Sequence, residues 1–161
     1  MADIAIAHYI RFLDKSGAYI LNRNYQNFFI AEQRSLSGVG YVFAPFGLTG
    51  MTSTRGGDNP TSSMVSVPND LTVSLVAEAT IASWLVEIKT VNIAVTEDGG
   101  MSEGAVLMSD IWACSSGNQD HEKVVLNLSS PLDATQAQVP KRVLSSYIVG
   151  SVPPTGAISA N

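Results

Sequence analysis

The sequence predicts a mainly β protein: an antiparallel β-barrel or sandwich with one packed α-helix at about residues 70–80 and an extended C-terminal tail. Three observations predict this class. Several short stretches alternate between apolar and polar residues with a period of two, which is typical of strands. One stretch after Asn69 has helical spacing instead. Strands and helices do not alternate along the chain, so a parallel doubly wound sheet is not expected.

The N-terminal residues predict a β-hairpin. Every second side chain in residues 4–13 belongs to one face, and residues 14–17 supply the polar and glycine residues of a turn. Residues 18–21 then return as the second strand. The side chains predicted to share one face of the first strand are Ile4, Ile6, His8, Ile10 and Phe12.

Another strand is predicted at residues 39–43, where apolar residues alternate again, and Pro45 ends its pairing. Residues 52–63 contain no large apolar side chain and predict a loop. Val65 and Val67 follow in alternation and are expected to form the apolar face of a short strand.

The helix is predicted from its cap and its spacing. Asn69 and Asp70 are favourable N-cap residues, because their side chains accept hydrogen bonds from the first free backbone N–H groups. The apolar residues that follow recur at helical intervals: Leu71, Leu75, Val76 and Ala79.

A three-strand meander is predicted after the helix. Its first strand alternates on even positions up to Ile88 and on odd positions from Val91, which predicts a β-bulge near Thr90. Residues 97–100 predict a hairpin turn. The later strand faces are expected to be Val106, Met108, Trp112 and Cys114, then Val124, Leu126 and Leu128, and both Trp84 and Trp112 are expected in the core.

Composition limits the classes of function. The chain has 161 residues, 45% hydrophobic and 14% charged, with a formal net charge of −5. Its hydrophobic content is too high for disorder over the whole length. Its few cations form no basic stripe, which argues against specific nucleic-acid binding. No apolar run is long enough to span a membrane, and the N-terminus lacks the pattern of a signal peptide.

No constellation of residues indicates catalysis, so we expect no enzyme. His8 lies in phase with core residues of a strand, and His121 lies in a turn between Asp120 and Glu122, where adjacent side chains cannot converge on one metal ion. Cys114, the only cysteine, is expected to be a buried and inert thiol. If Asp110 is buried, it requires a cationic partner such as Arg55, Arg34 or Lys89. We therefore expect no cofactor and no metal site.

Three stretches resemble the lambda-like minor tail protein L family and the related tail-tip, or baseplate hub, proteins of tailed bacteriophages. They are residues 41–46, residues 63–71, which lead from a glycine-rich loop into the helix, and residues 124–133 followed by 139–143, in which a strand ends in Ser-Pro and leads to a Pro-x-Arg segment. The resemblance covers about residues 6–145. Lambda-like members continue into a cysteine-rich domain that can hold an iron–sulfur cluster, and a single cysteine cannot hold one.

The resemblance implies a structural component of a tail tip or baseplate hub. Such proteins form a ring around the tail channel, with a trimer favoured and a hexamer possible. They connect the tail tube or distal tail protein to a central hub or spike. DNA at most passes through the channel, and the location is the virion tail after synthesis in the bacterial host cytoplasm. Two alternatives stay open: a receptor- or carbohydrate-binding β-module of a phage fibre or surface appendage, and a small cell-wall hydrolase.

We predict two units, a hub-like or tube-like β domain at residues 1–140 and an extended segment at residues 141–161. The loop and this segment are the expected assembly elements, because a polar loop is costly to order without a partner and an extended peptide can add to a neighbour's sheet. The predicted interface residues are Arg55, Asp58, Asn59, Lys141, Arg142, Tyr147, Ile148, Val149, Pro153 and Pro154.

Overall fold

The computed structural model describes residues 3–28, 32–50, 61–95 and 101–131. These residues form nine strands and one helix. The elements are β1 (Asp3–Leu13), β2 (Tyr19–Gln26), β3 (Gln33–Leu36), β4 (Val39–Phe43), β5 (Phe46–Thr49), β6 (Thr61–Ser66), α1 (Asp70–Ile81), β7 (Leu85–Val95), β8 (Met101–Gln119) and β9 (Val124–Ser129).

All nine strands belong to one sheet, in the order β3-β4-β2-β1-β7-β8-β9-β6-β5. Neighbouring strands are antiparallel except β2 and β4, which pair in parallel over a short stretch. The sheet is not closed into a barrel, so the predicted mainly β class with one helix is confirmed in its sandwich form.

The sheet curls strongly, because β4 and β5 lie near its two ends and only Ala44 and Pro45 connect them. The backbone N–H of Ala44 donates to the carbonyl oxygen of Gln26 at 2.9 Å. The side chain of Asn27 donates from Nδ2 to the carbonyl oxygen of Phe46 at 3.2 Å. These hydrogen bonds link the two ends of the sheet without a continuous ladder between them.

Helix α1 begins where the sequence predicts it. The Asn69 side chain accepts from the backbone N–H of Thr72 at 2.8 Å, and the Thr72 hydroxyl is 3.1 Å from the backbone N–H of Asn69. This reciprocal capping box satisfies donors that the first helical turn leaves free. The helix buries Leu75, Val76 and Ala79 against the sheet.

The structure has two cores on opposite faces of β1 and β7. One core contains Ile10 and Phe12 of β1, together with side chains from α1 and from β5 to β9. The other contains Ala7 and Tyr9 of the same strand, packed against side chains of β3, β4 and β7. Since successive strand residues point to opposite faces, the buried face of β1 changes along its length.

This change of face explains which side chains of β1 and β7 are buried. Ile6 lies in phase with Ile10 as predicted, but it is 60% exposed because no described element covers that part of the even face. The phase change of β7 has the same cause, since β7 pairs with β1 without any shift in register. The predicted β-bulge near Thr90 is confirmed, because the register between β7 and β8 shifts between Thr90 and Val91 and again between Val91 and Ile93. At both shifts the extra residue belongs to β8.

The predicted apolar face of β6 is wrong. Val67 lies beyond the strand and is exposed, whereas Ser62, Met64 and Ser66 are buried. The two serines are accommodated because the hydroxyl of Ser62 donates to the Thr49 carbonyl and that of Ser66 to the Pro45 carbonyl. Residues 61–63, predicted to end the loop, belong to this strand.

Candidate assembly surface

The predicted interface residues all lie outside the described part of the chain. Residues 51–60 and 132–161 are not described, and the first of these ranges contains Arg55, Asp58 and Asn59. The second contains the remaining predicted residues, which are Lys141, Arg142, Tyr147, Ile148, Val149, Pro153 and Pro154. They stay predictions, and the surface of the described domain must be considered on its own.

Neither histidine forms part of a described catalytic arrangement. His8 is half-buried in β1, its Nδ1 lies 3.2 Å from the Thr90 hydroxyl oxygen, and its backbone N–H donates to Oδ1 of Asn27. Burial lowers the pKa of the His8 imidazole. His121 is exposed at the turn between β8 and β9, where its backbone N–H donates to Oδ1 of Asp120 at 2.6 Å. Among the described residues, no imidazole is hydrogen-bonded to a carboxylate.

Cys114 is a buried free thiol, as predicted. Burial raises its pKa to about 12, so the thiol stays protonated and unreactive at neutral pH. Asp110 is exposed and therefore does not need the cationic partner that burial would require. Within the described ranges, no group of three or more His, Cys, Asp or Glu side chains is placed to hold a metal ion.

A cluster of tyrosines and charged residues covers the odd face of β1. The rings of Tyr9 and Tyr41 meet edge to face, with centroids 4.9 Å apart. Arg34 of β3 donates from Nε to the Tyr9 hydroxyl oxygen at 2.9 Å. Burial raises the pKa of Tyr41 to about 12, so this phenol is neutral at physiological pH.

The charged side chains on the outer part of the same face contact one another or a tyrosine. The guanidinium carbon of Arg11 lies 3.5 Å from the ring centroid of Tyr19, a cation–π contact. The Tyr19 hydroxyl lies 3.4 Å from Oε2 of Glu87, and Nζ of Lys89 lies 3.3 Å from Oε1 of the same glutamate. These groups satisfy one another, so the cluster stabilises the sheet. Sequence reasoning missed it because its members come from separate strands and share no local motif.

The long strand β8 has a free edge in the described structure. Its residues Met101 to Ala113 pair with β7 on one side. On its other side β9 pairs only with residues Ala113 to Gln119. No described strand pairs with this second side between Met101 and Trp112, which we call the β8 edge. An open edge of this kind presents backbone donors and acceptors to another chain.

Exposed aliphatic side chains lie along the β8 edge. Leu107 is 59% exposed, and Val106 and Ile111 are also exposed. Asp110 is exposed within the same stretch. Sequence reasoning placed Val106 on one strand face with Met108, Trp112 and Cys114, and of these four only Trp112 and Cys114 are buried. Alternation alone does not show which part of a long strand has a covering layer.

The comparisons with known proteins add no family. Neither the protein-family models nor the curated proteins include a match to this chain. In the described ranges, no helix has the length and apolar character needed to cross a membrane.

Proposed function

We propose that this protein is a structural component of a bacteriophage tail tip or baseplate hub, and that it acts by assembling with copies of itself and with other tail proteins. The single observation that carries the proposal is the β8 edge, a strand edge without a described partner strand and lined by Val106, Leu107 and Ile111. A monomeric protein normally protects such an edge with charges, prolines or a covering segment. The tail-tip proteins that this chain resembles assemble with neighbouring subunits, and we propose that such a neighbour covers the β8 edge.

Charge supports an assembly role. Only 14% of the residues are charged, compared with about 25% in an average soluble domain. Low charge weakens the repulsion between copies. The acidic balance of −5 also suits a channel component that must not retain passing DNA, since like charges repel. The proposed arrangement is a ring, with a trimer favoured, between the tube or distal tail protein and the central hub or spike.

The carbohydrate-binding alternative has less support. Sugar-binding surfaces are expected to group exposed aromatic rings, whereas Tyr19 is the only aromatic among the exposed large hydrophobic side chains of the described residues. That ring is already stacked against Arg11. The described surface therefore favours protein contacts through aliphatic side chains and backbone.

The proposal is tested by locating the protein in virus particles. Phage particles encoded by the same genome as this chain are purified, and their proteins are quantified by mass spectrometry. We expect the chain in the particles at a small fraction of the copy number of the major tube protein. Antibodies against the chain should label one end of the tail in electron micrographs.

The control is the cell lysate from the same infection, in which the chain should also occur before assembly. If the chain is abundant in the lysate and absent from purified particles, the protein is not a tail component. Labelling of lateral fibres instead of the tail end would favour the receptor-binding alternative.

A further inference from the structure

We infer that the β8 edge of one copy accepts residues 141–149 of a neighbouring copy as an additional strand. This inference rests on the proposed function, because it names the contact through which copies assemble. An extended peptide that joins an open sheet edge gains backbone hydrogen bonds, and its side chains supply specificity. The inferred partner is therefore a second copy of this chain, held by a defined segment.

The first argument is the course of the chain. Strand β9 ends at Ser129, which pairs with Ala113, and the unpaired part of β8 begins at the next residue. Pro131 has no N–H to donate, so it cannot continue a regular ladder along this edge. No described residue pairs with the edge between Met101 and Trp112, and residues 132–161 follow in sequence close to where this edge begins.

The second argument is composition. Residues 143–149 read Val-Leu-Ser-Ser-Tyr-Ile-Val, a segment rich in β-branched and aromatic residues without charge. Such a strand places apolar side chains beside the exposed Val106, Leu107 and Ile111. It would cover aliphatic surface that the described domain leaves in contact with water.

The third argument is charge complementarity. The sequence of the β8 edge contains Glu103 and Asp110 and no cation, so pairing two β8 edges would bring like charges together. The segment instead begins with Lys141 and Arg142 and contains no acidic residue. An antiparallel strand that starts beside the exposed Asp110 brings Arg142 close to that carboxylate.

The linker is long enough for the segment to reach a neighbouring copy. Residues 132–140 separate the described domain from the segment, and they span up to about 30 Å when extended, at about 3.3 Å per residue. A globular domain of this size is of the same order in diameter. To occupy the β8 edge of its own copy, the segment would have to turn back after Pro131 towards the place where β9 ends. A linker between copies avoids that reversal.

The test is disulfide formation between two single variants of the full chain. One preparation carries Asp110→Cys and the other carries Arg142→Cys, and the two are mixed under mild oxidation. We expect a disulfide-linked dimer that contains one chain of each kind, with little dimer in either preparation alone. The native Cys114 does not interfere, since it is buried and its pKa is raised to about 12. Wild-type protein treated in the same way is the control.

A charge reversal provides an independent measurement on the same pair. Asp110→Arg alone and Arg142→Asp alone should each shift the purified chain towards smaller species in analytical ultracentrifugation, and combining them in one chain should restore assembly. Leu107→Lys should also weaken assembly, because a charge on the edge opposes strand addition. Leu21→Lys is the matched control, since Leu21 is exposed on β2, away from the β8 edge.

Three outcomes would overturn the inference. A disulfide within one chain that carries both Asp110→Cys and Arg142→Cys, without any in the mixture of single variants, would place the segment on its own edge. Dimers of Asp110→Cys alone would indicate that two β8 edges pair. No disulfide in any sample, together with unchanged assembly of the reversed variants, would exclude this contact, and the chain's presence in tails would then have to rest on another surface.

Discussion

At the level of a single residue, His8 shows how partial burial changes the titration of a side chain. Its backbone and ring are held by Asn27 and Thr90, and partial burial lowers the pKa of the imidazole. Neither partner carries a charge that would stabilise an imidazolium ion. The folded protein therefore favours neutral His8, and protonation favours the unfolded chain.

The pH dependence of stability should reveal this effect. Because the pKa of His8 is lower in the folded state than its ordinary value of 6.5, the unfolded state binds more protons, and stability falls as the pH decreases below about 6.5. We expect His8→Gln to lose less free energy of unfolding than wild type between pH 7.5 and pH 5.5, measured by urea denaturation. The His121→Gln variant, changed at an exposed turn, should behave as wild type does, and an identical loss in all three proteins would contradict the argument.

Residue environments were predictable where local pattern determines them. Trp112 and Cys114 are buried and Trp84 packs partly buried against the same core, as alternation and composition predict. The pairing of Tyr9 with Tyr41 and of Tyr19 with Glu87 was not predictable, since each pair joins strands that are distant in sequence. Such contacts depend on the strand order, which no local pattern specifies.

At the scale of elements, the contact between α1 and β8 depends on a glycine. A Cβ atom on Gly117 would lie 2.5 Å from Cγ1 of Val76 and 2.9 Å from the Thr80 hydroxyl oxygen. The Thr80 hydroxyl is fixed by donating to the Val76 carbonyl at 2.8 Å. Glycine at this position therefore lets the helix approach the sheet closely enough to bury Val76.

We expect Gly117→Ala to destabilise the protein by about 1–3 kcal/mol, the usual cost of overpacking a well-packed contact. The matched control is Gly47→Ala, because Gly47 also lies in a strand and a Cβ atom there has no neighbour within 4 Å. The free energy of unfolding in urea provides the measurement. Equal stabilities of the two variants would show that the helix shifts freely on the sheet.

Elements differ in how far the sequence predicts them. The start of α1 follows from the side chains of Asn69 and Thr72, which lie next to the bonds they make. The buried faces of the strands were predicted less well, as Ile6 and the serines of β6 show. Alternation fixes which side chains share a face, whereas burial depends on which distant element covers that face.

In the whole molecule, both faces of the curled sheet contribute to packed cores, whereas the β8 edge has no described partner strand. Both cores are built from described residues, and they lie on opposite faces of β1 and β7. The mainly β class with one helix was predictable from the number of short strands, whereas the choice between barrel and sandwich was not. The strand order was not, because β4 and β5 are adjacent in sequence but lie near opposite ends of the sheet. The predicted role of the C-terminal segment stays a prediction.

Truncation after Arg142 separates folding from assembly. Since both described cores precede residue 132, the truncated protein should remain folded and soluble, with an unchanged melting temperature in far-UV circular dichroism. It lacks the apolar segment 143–149 and should no longer enter phage tails, whereas a control truncated after Pro154 keeps that segment and should assemble. A lower melting temperature would indicate that the segment completes the fold of its own chain. If the protein truncated after Arg142 enters infectious particles normally, the interface lies on the β domain itself. The β8 edge would then bind something other than residues 143–149.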